Sequence, residues 1–241
     1  MADESYGDVR LAALYDPLDP DRGDLDAYLA IAGETGARRV LDIGCGTGVF
    51  ALLLADRGIE VVGVDPALAS VEVARAKPGA ERVRWLHGDA TALPPLRVDL
   101  ATMTANVAQA IVDPEVWRGT LAGAHAALRP GGHLVFETRD PARRGWEEWT
   151  REESYRVVEL PGVGAVETWH QLTDVRLPLV SFRTTYVFAA DGRVLTSDST
   201  LRFREREEVE RDLAAGGFVV EEVRGAPDRP GREFVFLARR P

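Results

Sequence analysis

From about residue 38 to residue 137, short apolar runs alternate with helical segments. Val40, Leu41 and Ile43 form an apolar run that predicts a buried strand, and Gly44, Gly46 and Gly48 follow at alternate positions. Val49 to Ala55 then continues as an apolar helix. The same rhythm predicts strands near 38–43, 60–64, 82–86, 98–104 and 132–137, with helices over 48–57, 67–76 and 114–128. Such alternation implies a doubly wound, mostly parallel sheet covered by helices on both faces. Right-handed crossovers bring the C-terminal ends of the strands to one rim, and with them Gly44, Asp65, Asp89 and Asn106. Ligands of open α/β sheets bind at that rim.

The flanks follow other patterns. Residues 1–23 carry Gly7, Pro17, Pro20, Gly23 and five aspartates, and predict a loop or short helix outside the core. Asp24 is placed to cap a helix over 25–32, which Gly33 and Gly36 end. After Glu137 the pattern changes. Residues 143–204 lack a helical period and instead show Val- and Thr-rich runs at 155–160, 166–172, 180–187 and 194–203. Asp191-Gly192 between two of these runs signals a tight hairpin. Three or four antiparallel strands inserted into the main fold are expected. A helix over 206–215, stopped by Gly216-Gly217, and strands near 218–223 and 233–239 close the chain. The expected organisation is a cap segment at 1–36, an α/β domain formed by 37–142 and 205–241, and a β insert at 143–204.

Composition narrows the function classes. Hydrophobic residues make up 45% of the 241, enough for a full core. One cysteine excludes a disulfide within the chain, and Cys45 inside the glycine loop reads as a small turn residue. The four histidines at 87, 125, 133 and 170 show no zinc-ligand spacing, so no metal is expected. A net charge of −10 argues against a nucleic-acid backbone as partner. The acidic start lacks the apolar region of a signal peptide. No apolar run approaches the roughly 20 residues that span a bilayer. A cytoplasmic protein without a membrane partner is expected.

A strand, a glycine loop and a helix in succession form a nucleotide cradle. The dinucleotide fingerprint G-x-G-x-x-G requires its last glycine at the sixth place, where this chain has Val49; Gly48 comes one residue early. Asp65, at the tip of the second strand, has two uses. A carboxylate there can accept from both hydroxyls of a ribose. It can also cap the helix that starts near Ala67.

Four motifs resemble those of class I S-adenosylmethionine-dependent methyltransferases, specifically over about 38–140 and more loosely over 205–240. Asp42-Ile43-Gly44-Cys45-Gly46-Thr47-Gly48 resembles the family's first motif, and Val61 to Pro66 the second. His87-Gly88-Asp89-Ala90 resembles the third, and Leu128 to Val135 the turn into the fifth strand. The resemblance implies a Rossmann-like sheet and S-adenosyl-L-methionine as cofactor. Gly44, Gly46 and Gly48 would then face the methionine portion, with Asp42 orienting the loop or reaching the ammonium. Asp65 and the adjoining Pro66 would take the ribose, Asp89 and the Ala90 N–H the adenine. Asn106 and Val107 would border the sulfonium. Asp89 read alone is equally a surface turn, and Asn106 a cap or turn residue.

Small-molecule members of this family often carry an antiparallel insert over the acceptor, so 143–204 is expected to form an acceptor lobe. Tyr6, Tyr15 and Asp16 would close over the cofactor from the other side. Candidate groups for the chemistry near the rim are Glu137, Arg139, Asp140, His170, Asn106 and Gln109; His170 is the best base by chemistry, and its other reading is a surface or hydrogen-bonded structural histidine. Trp146, Trp149 and Trp169 are candidates either for the acceptor pocket or for the core of the β lobe. The function expected is methyl transfer to N, O or C of a small molecule. A protein acceptor, or cofactor binding without turnover, remains open. Glycine spacing and Gly88-Asp89 disfavour an NAD-dependent oxidoreductase. Thr104 to Gln109 lacks the Asn/Asp-Pro-Pro-aromatic motif of base-modifying enzymes.

Overall fold

A computed structural model describes residues 3–241. Its main sheet has seven strands: β1 (Arg39–Ile43), β2 (Glu60–Asp65), β3 (Val83–His87), β4 (Val98–Met103), β5 (Leu128–Arg139), β10 (Val219–Gly225) and β11 (Glu233–Arg239). Their order is β10-β11-β5-β4-β1-β2-β3. All neighbours from β5 to β3 pair in parallel, while β11 runs antiparallel to both β5 and β10. Strand β1 shows why both faces must be covered. Leu41 and Ile43 point into one apolar layer and Val40 into the other, each almost fully buried.

One layer is closed by α8 (Pro114–Ala127) and α10 (Arg206–Ala215), through Trp117, Leu121, Ala124, Val209 and Leu213. The other is closed by α4 (Asp26–Glu34) and α5 (Val49–Asp56), through Tyr28, Leu29, Phe50 and Leu54. Burying a side chain of this size contributes about 1.5–3 kcal/mol. A further helix, α6 (Leu68–Arg75), follows β2.

The insert is a separate four-stranded antiparallel sheet ordered β6-β7-β8-β9: β6 (Arg156–Leu160), β7 (Gly164–Arg176), β8 (Leu179–Phe188) and β9 (Val194–Arg202). Asp191-Gly192 turns β8 into β9 as expected, with Gly192 at φ +66° and its N–H donating to the Phe188 carbonyl at 2.8 Å. Arg204 joins the two sheets. It is fully buried, lies 4.4 Å from the centre of the Trp117 ring, and donates to the carbonyls of Ala108 (2.8 Å) and Ile111 (2.7 Å). Those carbonyls end α7 (Val107–Ala110), the short helix that leaves β4.

Three expectations are corrected. Asp24 does not cap α4. It pairs with Arg22 at 3.0 Å instead, and the chain passes through a 3₁₀ turn at Gly23–Leu25 before α4 begins. Residues 3–23 of the N-terminal segment are not outside the core, and residues 1 and 2 lie outside the described residues. α1 (Glu4–Gly7), α2 (Val9–Ala12) and α3 (Tyr15–Leu18) bring Leu11, Leu14 and Leu18 against Leu160, Val166 and Phe188 of the insert. Strand β5 starts at Leu128 rather than near 132, because the Gly131 N–H and the Gly132 carbonyl pair with Arg240 and extend the ladder. The lead into the insert also contains helical turns, including α9 (Arg151–Ser154).

Candidate cofactor and acceptor site

The rim where β1, β2 and β4 end carries the glycine loop. Gly44, Gly46 and Gly48 sit at φ +71°, +52° and +81°, a region that side chains with a Cβ enter only under strain. Their surroundings differ. A Cβ on Gly44 would lie 2.5 Å from the Val107 side chain, so the loop is pressed against the exit of β4. A Cβ on Gly48 would lie 2.5 Å from Trp85. A Cβ on Gly46 would meet nothing within 4 Å, so the loop's centre faces open space.

Asp65 holds this loop. One carboxylate oxygen accepts from Gly46 N–H at 2.8 Å and the other from Ala67 N–H at 2.7 Å. Asp65 braces the loop and the turn before α6 but does not cap that helix, whose N-cap is Ala67 without a side-chain bond, so the capping expectation is corrected; the carboxylate still has lone pairs to offer a ligand. Burial raises its pKa and the two N–H groups oppose that shift. Asp42 points the other way. It is buried and accepts from Thr102 Oγ1 at 3.0 Å, and burial pushes its pKa up to about 7. Asp89 caps the turn Ala90–Ala92 by accepting from Thr91 N–H at 2.8 Å, with Ala90 buried behind it. The carbonyl of Pro66 meets His87 Nε2 at 3.2 Å across the same rim.

At the exit of β4, Ala105 and Asn106 are consecutive non-glycine residues with φ +56° and +61°. Such positions cost about 1–3 kcal/mol each and gather at functional sites. The strain is held by Glu137, buried near the end of β5. Its carboxylate accepts from Asn106 N–H and from the Tyr28 hydroxyl. Burial pushes the Glu137 pKa up to about 7 and, with the Glu137 charge, raises that of Tyr28. Asn106 Oδ1 is buried with no partner among the described residues.

The N-terminal segment lies over the loop. Asp16 accepts from Thr47 Oγ1 at 2.6 Å and pairs with Lys77, and Ser70 Oγ donates to the Tyr6 carbonyl at 3.0 Å. The rings of Tyr6 and Tyr15 are 5.5 Å apart. Ser5 ties this segment to the insert through Ser197 Oγ (2.9 Å) and the Tyr186 hydroxyl (3.0 Å).

Beyond the end of β5, a cleft of about 520 Å³ opens between the insert and the β10–β11 connection. Arg139, Asp140, Trp149, His170 and Glu233 line it. Gln109 links it to the β4 exit, since its Oε1 accepts from both the N–H and the Nη1 of Arg139 at 3.2 Å. His170 Nδ1 lies 3.0 Å from Thr184 Oγ1, and burial, reinforced by Arg156 and Arg139, lowers its pKa. Of the three tryptophans, Trp149 alone reaches this cleft. Trp146 is buried on Phe203, 4.6 Å between ring centres, and Trp169 lies under Arg151 at 4.3 Å.

Comparison with known proteins agrees with this geometry. A profile described as a methyltransferase domain matches residues 40–132, from β1 into β5. The cypemycin N-terminal methyltransferase of a Streptomyces species is 33% identical over 147 residues, 59% of this chain and 60% of that protein. The chain spans about half the length of the curated relatives it matches, between 44% and 60% for those compared. Among solved structures, the CcbJ methyltransferase of Streptomyces caelestis superposes with a TM-score of 0.78 at 23% identity, over 98% of each chain. CalS10 of Micromonospora echinaspora, an amino pentose methyltransferase solved with S-adenosylmethionine, gives 0.72 at 26% identity, over 95% and 97%. The whole chain therefore has the class I methyltransferase fold, with the antiparallel sheet as its second layer of structure.

Sequence reasoning missed Tyr28, Thr102 and Glu233, while Asp16, named there, lies against the loop through Thr47. Tyr28 counts as apolar on the face of α4, and nothing local marks its partner 109 residues away. Among the described residues, no helix is long and apolar enough to cross a membrane.

Proposed function

We propose that this protein is an S-adenosylmethionine-dependent methyltransferase acting on N, O or C of a small molecule. The observation that carries the proposal is the glycine loop. Three left-handed glycines are braced by Asp65, and the middle one faces open space where a ligand backbone can lie. Bound S-adenosylmethionine supplies a methyl group already activated on a sulfonium. The protein's task is then alignment and exclusion of water, which together are worth roughly 7–11 kcal/mol of barrier.

In this reading, Gly44, Gly46 and Gly48 receive the methionine portion and Asp65, beside Pro66, the ribose. Asp89 and Ala90 take the adenine, while Asn106 and Val107 border the sulfonium. Asp42 fixes the loop from inside the sheet. Residues 1–36 form the cap, 37–142 and 205–241 the cofactor domain, and 143–204 the acceptor lobe. His170 is the candidate base. With Nδ1 engaged by Thr184 and a lowered pKa, its neutral ring presents the Nε2 lone pair, which takes the proton of the acceptor. Such a base contributes about 10²–10⁴-fold for a hydroxyl or an acidic carbon. Similarity to an N-terminal methyltransferase makes an amine the first acceptor to test.

A nucleic-acid acceptor disagrees with the net charge of −10. A cytoplasmic location belongs to the proposal and is open to cell fractionation. The deciding experiment titrates purified protein with S-adenosylhomocysteine and with NADH. Micromolar binding of the first and none of the second is expected, followed by S-adenosylhomocysteine release from S-adenosylmethionine with an amine panel. The reverse order of binding would remove the proposal.

A further inference from the structure

The cleft beside His170 carries four arginines, Arg139, Arg143, Arg229 and Arg232, in a chain whose net charge is −10. All four lie within ion-pair distance of a carboxylate, and Asp140, Glu148, Asp228 and Glu233 share the lining. Arg229 bonds Glu233 at 2.9 Å, Arg232 bonds Glu148 at 2.9 Å, and Arg143 lies 3.5 Å from Asp140. Arg139 differs. A guanidinium has five N–H donors. Among the described residues, the Arg139 guanidinium makes one hydrogen bond, from Nη1 to Gln109 Oε1. Its nearest carboxylate oxygen, on Glu233, is 3.6 Å from Nε, beyond hydrogen-bond reach, and already accepts from Arg229.

Arg139 is also held in place. Gln109 fixes it from α7 through two hydrogen bonds, and the Trp149 ring lies 5.5 Å from the guanidinium carbon. Most of its side chain is buried, with 22% exposed at the cleft. A fixed, planar fork with unused donors, facing a cleft of about 520 Å³, matches a carboxylate or phosphate bidentately. The same unmet donors would be costly in an apolar-ligand pocket.

We infer that Arg139 is the anchor of an anion subsite in the acceptor cleft, so that the acceptor carries a carboxylate or a phosphate. This deepens the methyltransferase reading and rests on it. Gln109 ties the subsite to α7, the helix that follows Asn106, where the β4 exit would border the sulfonium. The anionic group of the acceptor would therefore dock beside the transfer site, and Gln109 is a positioning residue acting through Arg139. An uncharged quinone ring with an isoprenoid tail would leave the fork unpaired.

The test is calorimetric titration of the full chain, loaded with S-adenosylhomocysteine, against malonate and against pyrophosphate at constant ionic strength, with chloride as control. At least one probe should bind, with a dissociation constant of roughly millimolar or tighter. Malonate binding points to a carboxylate-bearing acceptor and pyrophosphate binding to a phosphate-bearing one. Arg139→Gln should weaken that binding about tenfold or more, Arg139→Lys less, with S-adenosylhomocysteine affinity unchanged in both. Failure of both probes on the wild-type protein, or equal binding by Arg139→Gln, overturns the inference. Failure of S-adenosylhomocysteine to bind while an anion still titrates would instead defeat the donor reading and leave the anion subsite standing.

Discussion

Two neighbouring glycines separate the cost of folding the loop from the cost of filling it. Gly46→Ala and Gly48→Ala each place a Cβ at positive φ, which costs about 1–2 kcal/mol in the left-handed region. At Gly48 the new methyl would also stand 2.5 Å from Trp85 and 2.9 Å from Ala74, inside a packed layer. Overpacking of that kind adds typically 1–3 kcal/mol. At Gly46 the methyl meets no protein atom within 4 Å, so backbone strain is the whole cost to the free protein. Thermal unfolding of the ligand-free proteins should therefore rank wild type above Gly46→Ala, and Gly46→Ala above Gly48→Ala, by about 1–3 kcal/mol in the second step. Binding should rank differently. The Gly46 methyl enters the space assigned to the methionine portion. S-adenosylhomocysteine affinity measured by calorimetry should fall at least tenfold, about 1.4 kcal/mol or more. Wild-type affinity in a folded Gly46→Ala protein would show that the ligand does not lie over this glycine.

Other substitutions probe the neighbouring contacts. Asp65→Asn keeps one acceptor oxygen but sets an amide N–H₂ against a backbone N–H; it should lower S-adenosylhomocysteine affinity by about 1.5–3 kcal/mol, and unchanged calorimetry would mean the ribose is held elsewhere. Glu137 has a folded pKa raised to about 7 from 4.5, so its contribution to stability is present at acid pH and lost as pH rises through 7. Gln mimics the protonated form, so Glu137→Gln should gain about 2–3 kcal/mol relative to wild type between pH 5 and pH 8, read from denaturant unfolding; a constant difference would mean Glu137 titrates normally. His170→Gln should leave S-adenosylhomocysteine binding intact and lower kcat about 10²–10⁴-fold for a hydroxyl acceptor; an unchanged rate would show that the base lies elsewhere or is not needed.

How far the sequence could be read depended on how local each cause is. The glycine loop was legible because left-handed backbone at Gly44, Gly46 and Gly48 admits little else. The parallel strands were legible because Val40, Leu41 and Ile43 must be apolar on both faces. The hairpin at Asp191-Gly192 was legible for the same local reason. The start of α4 was not, because Arg22 draws Asp24 into an ion pair and away from the cap. The spacing of Leu11, Leu14 and Leu18 was masked by surrounding Asp and Pro, and its meaning required the insert sheet it packs on. Helix α7 has four residues, too few to show a period. The Tyr28–Glu137–Asn106 contact joins three distant elements, and no local signal announces it. The candidate site divides the same way. Its loop residues were readable from spacing, while the partners that brace them were not.

The central claim is that the adenosyl donor lies along the loop between β1 and α5 with its sugar at the end of β2. A crystal structure of the protein with S-adenosylhomocysteine tests it most directly. The account predicts density over Gly46 with the ribose hydroxyls on Asp65 and the sulfur beside Asn106. An empty loop at saturating ligand, or density seated at another part of the sheet, would contradict it.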